Sequence, residues 1–264
     1  MLMIIVTGAQ GFIGQALIEK LTDEIISIDI KNKEEIFQID WSNISHVYHL
    51  GAVSSTVETN LQKIYDLNID YSIRLFEKCI EHRVPVSYAS SASVYGHSTS
   101  NEINPLNYYA LSKATIDLWV TDNLARFNNV RGYRFFNVYG DNEESKGNQA
   151  SPVYTFIKQA KTSGIIKIFD NTGDGKRDFI YVDDVCQTIT NDSRPSGIYD
   201  LGTGKSHYFS ELANHISKKY NAKIEIIPFP DYLKKKYQYN TQANSNHIIG
   251  DYIDVLEYID KITD

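Results

Sequence analysis

Short apolar runs alternate with amphipathic stretches along the first 140 residues. Five runs have the length and composition of buried strands: Met3–Val6, Ile25–Ile28, Val47–Leu50, Val86–Ala89 and Val130–Phe135. Three stretches carry apolar residues at helical spacing and predict helices: Phe12–Leu21, Ile69–Arg83 and Tyr108–Arg126. Because strands that alternate with helices favour a parallel sheet covered on both faces, the sequence predicts an α/β fold with a doubly wound parallel sheet.

The pattern changes after about residue 140. Residues Asp141–Ser151 are polar and show no periodicity, which predicts a loop. Short helices and strands follow, including a strand over Glu225–Ile227. No Ser-, Gly- or Pro-rich linker separates the two parts, so we expect a smaller C-terminal α/β lobe beside the sheet and not an independent domain.

Composition and charge narrow the possible partners. The chain has 264 residues, a formal net charge of −7 and two cysteines, Cys79 and Cys186. An acidic chain lacks the basic excess typical of nucleic-acid binders, and two cysteines cannot form a disulfide scaffold or a cysteine-rich zinc site. No apolar run approaches the roughly 18 residues of a membrane helix. We therefore expect a cytoplasmic protein with no nucleic-acid, membrane or metal partner.

A glycine-rich turn follows the first predicted strand. Gly8, Gly11 and Gly14 have the spacing G-x-x-G-x-x-G and open the first predicted helix. Gly8 permits the tight turn, Gly11 lets the backbone approach a pyrophosphate, and Gly14 lets the helix pack closely on the strand. Asp29 ends the second strand, where an acid can bond a ribose hydroxyl. This context predicts a Rossmann-type site for NAD or NADP.

The residues after the second strand leave the choice of dinucleotide open. Asp29 favours a free 2′-hydroxyl and hence NAD. Lys31 and Lys33 could instead hold the 2′-phosphate of NADP. Asp40 lies where an acid could meet the adenine amine, or it is an ordinary carboxylate at the end of a strand.

A second group of residues can move protons. Tyr109 and Lys113 are four residues apart on a predicted helix and therefore share a face. An ammonium group near the phenol would favour the phenolate, which could take a proton from a substrate hydroxyl. Ser91, in a serine cluster after a predicted strand, could orient the same hydroxyl. These residues predict oxidation of an alcohol with hydride transfer to the dinucleotide.

Several segments resemble the extended short-chain dehydrogenase/reductases, a family that acts on nucleotide sugars. They are the Gly-rich turn at residues 7–14, Ser-Ser-x-x-Val-Tyr-Gly at 90–96, Tyr-x-x-x-Lys at 109–113, Arg-Phe-Phe-Asn-Val-Tyr-Gly at 134–140 and Arg-Asp-Phe-Ile-Tyr-Val-Asp-Asp-Val at 177–185. Within that family the chain is most similar to epimerases of nucleotide-activated heptoses. That closer similarity depends on residues 51–56, Lys146-Gly147 nine positions after Asn137, residues 176–179, and 227–231 leading into Tyr237-Gln238.

The resemblance implies a division of the chain and a role for each matching residue. Residues 1–140 form the NAD(P)-binding Rossmann domain, with 176–205 returning to it, and residues 141–264 form mainly the substrate lobe. Tyr109 and Lys146 are the two acid/bases, and Lys113 and Ser91 assist. The cofactor is held by Gly8, Gly11, Phe12, Ile13, Gly14, Asp29, Ile30, Lys31, Asp40, Leu50, Gly51, Ala52, Ser54, Asn68, Tyr109 and Lys113. The substrate is held by Asn137, Val138, Asn148, Thr155, Phe169, Arg177 and Tyr237.

The implied reaction is inversion at C6″ of ADP-heptose by transient oxidation with one tightly bound NADP or NAD per subunit, in a homo-oligomer. Two positions depart from the family pattern, since Asn148 and Thr155 replace its usual Ser and His. Two alternatives stay open. One is a 4-epimerase or dehydratase of a hexose nucleotide, although Ser91-Ala92-Ser93 lacks the carboxylate that dehydratases need. The other is a non-catalytic sensor of a nucleotide sugar or NAD(P) on the same fold.

Overall fold

The main sheet has six parallel strands in the order β2-β1-β3-β4-β5-β9, in a computed structural model that describes residues 2–98, 102–170, 175–231 and 237–263. Its strands are β1 (Met3–Thr7), β2 (Glu24–Ile28), β3 (Ile44–His49), β4 (Val86–Ser91), β5 (Val130–Phe135) and β9 (Gly197–Leu201). This parallel sheet with flanking helices confirms the predicted doubly wound α/β fold.

Two smaller sheets lie in the second half of the chain. One contains β10 (Ser206–Tyr208), β8 (Lys176–Tyr181) and β6 (Asn137–Tyr139), with β10 antiparallel to β8. The other pairs β11 (Lys223–Ile227) with β7 (Ile165–Phe169) in parallel. Since β9 joins the main sheet and β8 does not, only part of 176–205 returns to that sheet. The division into 1–140 and 141–264 stays a prediction.

Eight α-helices surround these sheets within the described ranges. They are α1 (Phe12–Ile18), α2 (Leu61–Ile64), α3 (Tyr71–Glu81), α4 (Tyr108–Asp122), α5 (Pro152–Ser163), α6 (Val182–Asn191), α7 (Phe209–Tyr220) and α8 (Val255–Lys261). Leu75 and Phe76 of α3 and Ile116 of α4 pack on one face of the main sheet. Leu17 of α1 and Val185 of α6 pack on the other face. No helix of the described chain is both long and apolar enough to cross a membrane.

Three helix boundaries differ from the prediction. Helix α1 ends at Ile18 because the amides after it bond three residues back, which tightens the last turn. Helix α4 ends at Asp122, where the Asn123 side chain donates to the Trp119 carbonyl and a 3₁₀ turn follows. The helix predicted from residue 69 instead begins at Leu61, and a π-helical segment, Tyr65–Asp70, leads into α3.

One strand and the predicted loop also differ from the prediction. Strand β3 covers Ile44–His49 and not Val47–Leu50, because Met3 pairs with Ile44 at its start. The polar segment predicted as a loop contains a 3₁₀ helix over Glu143–Gln149, interrupted at Gly147 by a left-handed backbone with φ of 52°. The buried carboxylate of Glu143 fixes this segment through hydrogen bonds from Ser151. Hydrophobic periodicity gives no indication of such a contact.

Candidate active site

The glycine-rich turn brings three backbone segments into contact at the carboxyl ends of β1 and β3. A β-carbon added to Gly14 would lie 2.1 Å from the Gly8 carbonyl oxygen. A β-carbon added to Gly8 would lie 2.7 Å from the Cα atom of Gly51. The chain reverses its sheet order at this point, since β1 lies between β2 and β3. Parallel sheets bind ligands in the crevice at such a point.

A cavity of about 660 Å³ opens beside this turn. Most of the predicted cofactor residues line it: Gly8, Gly11, Phe12, Ile13, Gly14, Asp29, Ile30, Leu50, Gly51, Ala52, Ser54, Tyr109 and Lys113. Ser91, Lys146, Asn137 and Val138 line it too. The structure therefore brings the predicted dinucleotide residues together with the predicted acid/base residues.

Two further observations fit a dinucleotide in this cavity. The Asp29 carboxylate at the end of β2 accepts hydrogen bonds from the amides of Gln10, at 3.0 Å, and Ile30, at 2.8 Å, which fix it beside the Gly-rich turn. The hydroxyl of Ser90 is buried in the cavity wall and has no hydrogen-bond partner among the described residues. A buried hydroxyl without a partner is costly unless a polar ligand satisfies it.

Tyr109 and Ser91 both line the cavity wall, and Ser91 is near enough to influence the pKa of Tyr109. The Ser91 hydroxyl accepts hydrogen bonds from the amide of Ser93, at 3.2 Å, and from its hydroxyl, at 2.9 Å. Burial raises the pKa of Tyr109, and the hydrogen bond with Ser91 lowers it in part. The pair can thus hold one substrate oxygen between a phenol and a serine hydroxyl.

Lys113 is buried one helical turn after Tyr109. Its ammonium donates to the Ala89 carbonyl at 2.6 Å. Burial lowers the pKa of Lys113 to about 8, and the Asp117 carboxylate opposes this shift. Asp117 lies one further turn along α4, where the Arg134 guanidinium donates to it at 2.8 Å. Lys113 is therefore a cation supported by a carboxylate that the sequence analysis missed.

Lys146 is held between two groups at the cavity wall. Its ammonium lies 2.8 Å from the Glu143 carboxylate and 4.4 Å from the centre of the Phe12 ring. Glu143 is completely buried and also accepts from the amide of Ser151 at 2.6 Å. The segment that carries Lys146 thus lies against the Gly-rich turn, and Ser54 donates to Gln149 across the same cleft at 2.9 Å.

Asn68 does not line the cavity but holds its wall. The side-chain amide accepts from the Val53 amide at 2.8 Å and donates to the Val53 carbonyl at 3.0 Å. It also donates to Ser112 at 3.0 Å, and Ser112 donates to the Tyr109 carbonyl at 2.7 Å. One buried amide therefore connects the segment after β3 to the helix that carries Tyr109.

A buried histidine continues this connection to β1. The Thr7 hydroxyl accepts from the Gly51 amide and forms a hydrogen bond with Nδ1 of His49 at 2.7 Å. Ser72 donates to the Asn68 carbonyl, so it accepts from Nε2 of His49, at 2.8 Å. This network fixes the tautomer with the proton on Nε2. Its members lie far apart in the chain, and no local motif indicated it.

Besides Asn68, two predicted cofactor residues do not line the cavity. The Asp40 carboxylate accepts from the amide and hydroxyl of Ser42, both at 2.9 Å, and so caps a short 3₁₀ helix. Lys31 is exposed. Their roles toward adenosine stay predictions, whereas Lys33 lines the cavity.

The remaining predicted substrate residues lie in the second half of the chain. Arg177 is buried, stacks on the rings of Tyr237 at 5.1 Å and Phe209 at 5.4 Å, and forms no ion pair with a carboxylate of the described chain. Burial lowers its pKa. Asp178, the next residue along the chain, instead accepts hydrogen bonds from the amides of residues 203, 204 and 243. Phe169 packs edge-on against Phe229, Asn148 is exposed and Thr155 lies in α5.

A family model named "NAD dependent epimerase/dehydratase family" matches residues 4–191. The chain belongs to this family. The matched range contains the Gly-rich turn, the Ser91–Tyr109 pair, Lys113, Lys146 and Arg177. The cavity therefore belongs to an NAD-dependent member of the epimerase/dehydratase family. In the described ranges, no cluster of three or more possible metal ligands occurs.

Solved structures of other members share this fold. ADP-L-glycero-D-manno-heptose-6-epimerase of Helicobacter pylori is 24% identical with a TM-score of 0.84, over 98% of this chain and 94% of that chain. UDP-N-acetylglucosamine 4-epimerase of Methanobrevibacter ruminantium is 22% identical with a TM-score of 0.82, over 97% and 96%. UDP-glucose 4-epimerase of Thermus thermophilus, solved with NAD, is 20% identical with a TM-score of 0.78, over 98% of each chain. Similarity at these identities establishes the fold.

Proposed function

We propose that the protein inverts C6″ of a nucleotide-activated heptose, with ADP-heptose as the substrate. The observation that carries this proposal is the presence of Lys146 and Tyr109 in the wall of one cavity, on separate elements. Epimerisation through a ketone needs a proton acceptor and a proton donor on the two faces of the reacting carbon. A phenol and an ammonium group in one cavity meet that need.

Tyr109 serves as the first acid/base. Its hydrogen bond with Ser91 favours the phenolate, and burial favours the neutral phenol. The Lys113 ammonium, one turn away on α4, adds a positive charge close to the phenol. Tyr109 therefore takes the proton of a substrate hydroxyl that Ser91 orients, and it can return that proton later.

Lys146 serves as the second acid/base. Its side chain is 21% exposed and lines the cavity, so a substrate oxygen can reach the ammonium from there. The ion pair with Glu143 and the contact with Phe12 keep the ammonium beside the Gly-rich turn. When the transient ketone turns its other face to the site of hydride transfer, Lys146 donates the proton that completes the inverted alcohol.

The dinucleotide, tightly bound as one NADP or NAD per subunit, supplies a hydride acceptor and donor when it is present. The Gly-rich turn and the Asp29 carboxylate would hold its pyrophosphate and ribose, and Ser90 offers a hydroxyl that has no partner among the described residues. These protein groups bind and orient it, while the proton transfers belong to Tyr109 and Lys146.

Arg177 would hold the diphosphate of the substrate. A guanidinium grips phosphate oxygens through two parallel hydrogen bonds. A buried cation without a carboxylate partner in the described chain is suited to an anionic ligand. The aromatic rings of Phe209 and Tyr237 on which Arg177 stacks restrict its orientation.

We further propose that the protein assembles as a homo-oligomer through α4 and the segment before α3. Leu111 and Leu118 of α4 are exposed, and so are Leu61 and Tyr65 of the adjacent segment. We name these four residues the α4 patch. Exposed apolar side chains on neighbouring helical segments that pack together are typical of a subunit interface.

Incubation of the purified protein with ADP-D-glycero-D-manno-heptose tests the proposed substrate. The C6″ epimers are separated by chromatography, and UDP-glucose and UDP-N-acetylglucosamine are tested in parallel. We expect the heptose to be converted to a mixture of two epimers and the hexose nucleotides to remain unchanged. Conversion of a hexose nucleotide alone would replace the heptose with a 4-epimerase substrate. Binding without any turnover would favour the sensor alternative.

A further inference from the structure

The adenosine end of the large cavity carries opposing charges close together. Asp29, Ile30, Lys33 and Tyr71 line this end. The Asp29 carboxylate is fixed toward the Gly-rich turn by the amides of Gln10 and Ile30. Of the two lysines that follow β2, Lys33 lines the cavity and Lys31 does not. The availability of the Lys33 ammonium therefore decides whether a 2′-phosphate can form an ion pair there.

Lys33 is already engaged in an ion pair. Its ammonium donates to the carboxylate of Glu34, and lies 5.6 Å from the centre of the Tyr71 ring. Glu34 also accepts a hydrogen bond from the Arg74 guanidinium at 2.8 Å. These bonds from Arg74 and Lys33 lower the pKa of Glu34 to about 2. Glu34 is therefore ionised near neutral pH and holds both cations.

Arg74, the second cation that Glu34 holds, is also fixed by two other side chains. The Arg74 guanidinium lies 4.2 Å from the centre of the Phe37 ring, and it lies 3.8 Å from the Asp70 carboxylate. Residues 29–40 contain four carboxylates, Asp29, Glu34, Glu35 and Asp40, and two lysines, Lys31 and Lys33. This segment of the chain therefore carries a net charge of −2 before any ligand binds (two lysines minus four carboxylates).

We propose that Glu34 makes the protein selective for NAD over NADP, because it holds Lys33 and Arg74 in ion pairs and so withholds them from a 2′-phosphate. This inference rests on the dinucleotide site of the proposed function. Asp29 alone can accept a bond from the 2′-hydroxyl, as expected from the sequence. The sequence alone left the choice between NAD and NADP open, because Lys33 could hold the 2′-phosphate. Glu34 favours NAD, since it pairs with the lysine that would otherwise compensate the charge of that phosphate.

Charge explains the direction of the effect. A phosphate group at this position brings between one and two negative charges at neutral pH. Next to Asp29 it is repelled unless a cation moves toward it. Lys33 can do so only by leaving Glu34, and the cost of breaking such an exposed pair reduces the affinity for NADP severalfold.

Fluorescence titration with NADH and NADPH tests the proposal directly on protein freed of bound nucleotide. The variants are Glu34→Gln, the double variant Lys33→Ala with Glu34→Gln, and Glu35→Gln as a matched control. Glu35 is the next residue, is exposed, and gives the same change in net charge. All three positions lie on the surface segment after β2, and circular dichroism verifies that each variant is folded.

We expect the unaltered protein to bind NADH at least about tenfold more tightly than NADPH. Glu34→Gln should tighten NADPH binding about threefold to fivefold and leave NADH binding unchanged. Glu35→Gln should have a smaller effect, and removal of Lys33 should abolish the gain.

Three results would overturn the proposal. NADPH bound as tightly as NADH by the unaltered protein would deny the selectivity itself. Equal gains in Glu34→Gln and Glu35→Gln would assign the effect to net charge alone. Absence of binding by either dinucleotide would reject the cofactor site and the proposed function with it. Tight NADH binding by a protein that does not convert the heptose would reject only the proposed substrate.

Discussion

The ammonium nitrogen of Lys146 lies 2.8 Å from a carboxylate oxygen of Glu143, whose side chain is completely buried. Glu143 also accepts hydrogen bonds from the Gly140 amide at 3.1 Å and from the Ser151 hydroxyl at 2.7 Å. A buried carboxylate is tolerated only when its oxygens are paired in this way. Glu143 therefore fixes both ends of the segment that presents Lys146 to the cavity.

Replacement Glu143→Gln should destabilise the protein. The amide cannot accept from all the donors that now converge on the carboxylate, so buried donors lose their partners. We expect the free energy of unfolding to fall by about 2–3 kcal/mol, measured by urea denaturation. The neighbouring exposed residue supplies the control, since Glu144→Gln should change stability by less than about 0.5 kcal/mol. Equal effects of the two variants would show that Glu143 is not an anchor.

Replacement Gly14→Ala should weaken dinucleotide binding. The added methyl group would lie 2.1 Å from the Gly8 carbonyl oxygen, so the Gly-rich turn must open. We expect nucleotide-free Gly14→Ala protein to bind NADH at least about tenfold more weakly. Gly164→Ala tests the same change at a left-handed position with no atom within 4 Å of the added carbon. It should lower stability by about 1 kcal/mol and leave NADH binding intact. Normal binding by Gly14→Ala would contradict the proposed site.

Stability should decrease as the pH falls below 6.5, in part because of His49. Burial, with a smaller contribution from Lys113, lowers the pKa of His49 to about 3. Between pH 6.5 and 3 the unfolded chain therefore binds a proton at this residue and the folded chain does not, so acid favours unfolding. This residue should contribute about 1.4 kcal/mol per pH unit to the slope.

Urea denaturation between pH 6 and pH 4 measures that slope. His49→Gln should be less stable than the unaltered protein at pH 7 and should show a shallower slope by about 1.4 kcal/mol per unit. Ser72→Ala removes the partner of Nε2 but keeps the imidazole, so its stability should fall while the slope stays steep. An unchanged slope in His49→Gln would mean that the histidine is protonated in the folded protein.

The sequence predicted most of the cofactor side of the site, because that side depends on local patterns. A strand, a turn with Gly8, Gly11 and Gly14, and an acid after the next strand occur in order along the chain. The structure brings these residues together in one cavity, since parallel strands end at the same edge of the sheet. The spacing of Tyr109 and Lys113 likewise survives folding, since the two residues lie one turn apart on α4.

Long-range contacts could not be predicted in the same way. His49 forms hydrogen bonds with Thr7 and Ser72, which lie 42 and 23 positions away along the chain. No periodicity indicates such pairs. Glu143 lies in a polar segment that predicts a loop, yet it is completely buried. The π-helical segment before α3 was missed because Leu61 and Tyr65 are exposed, so apolar spacing there does not mark a core face.

Replacement Leu118→Glu should dissociate the proposed homo-oligomer. Leu118 belongs to the α4 patch and is 63% exposed, so a carboxylate there does not disturb the core of one subunit. Buried against a second copy, the same charge would be strongly unfavourable. Light scattering after size-exclusion chromatography should give an oligomer for the unaltered protein and a monomer for Leu118→Glu. Ile226→Glu, at a 69% exposed residue of β11, should remain oligomeric. Loss of assembly in both variants would argue against the α4 patch.

The participation of both Tyr109 and Lys146 is the central claim, and rates of C6″ epimerisation in matched variants test it most directly. Tyr109→Phe, Lys146→Met and the control Lys158→Met are compared with the unaltered protein, and the bound dinucleotide is quantified in each. We expect Tyr109→Phe and Lys146→Met each to lose a factor of about 100 to 10,000 in rate while they retain the dinucleotide. Lys158→Met should match the unaltered protein. Full activity in Lys146→Met with normal dinucleotide content would contradict the account.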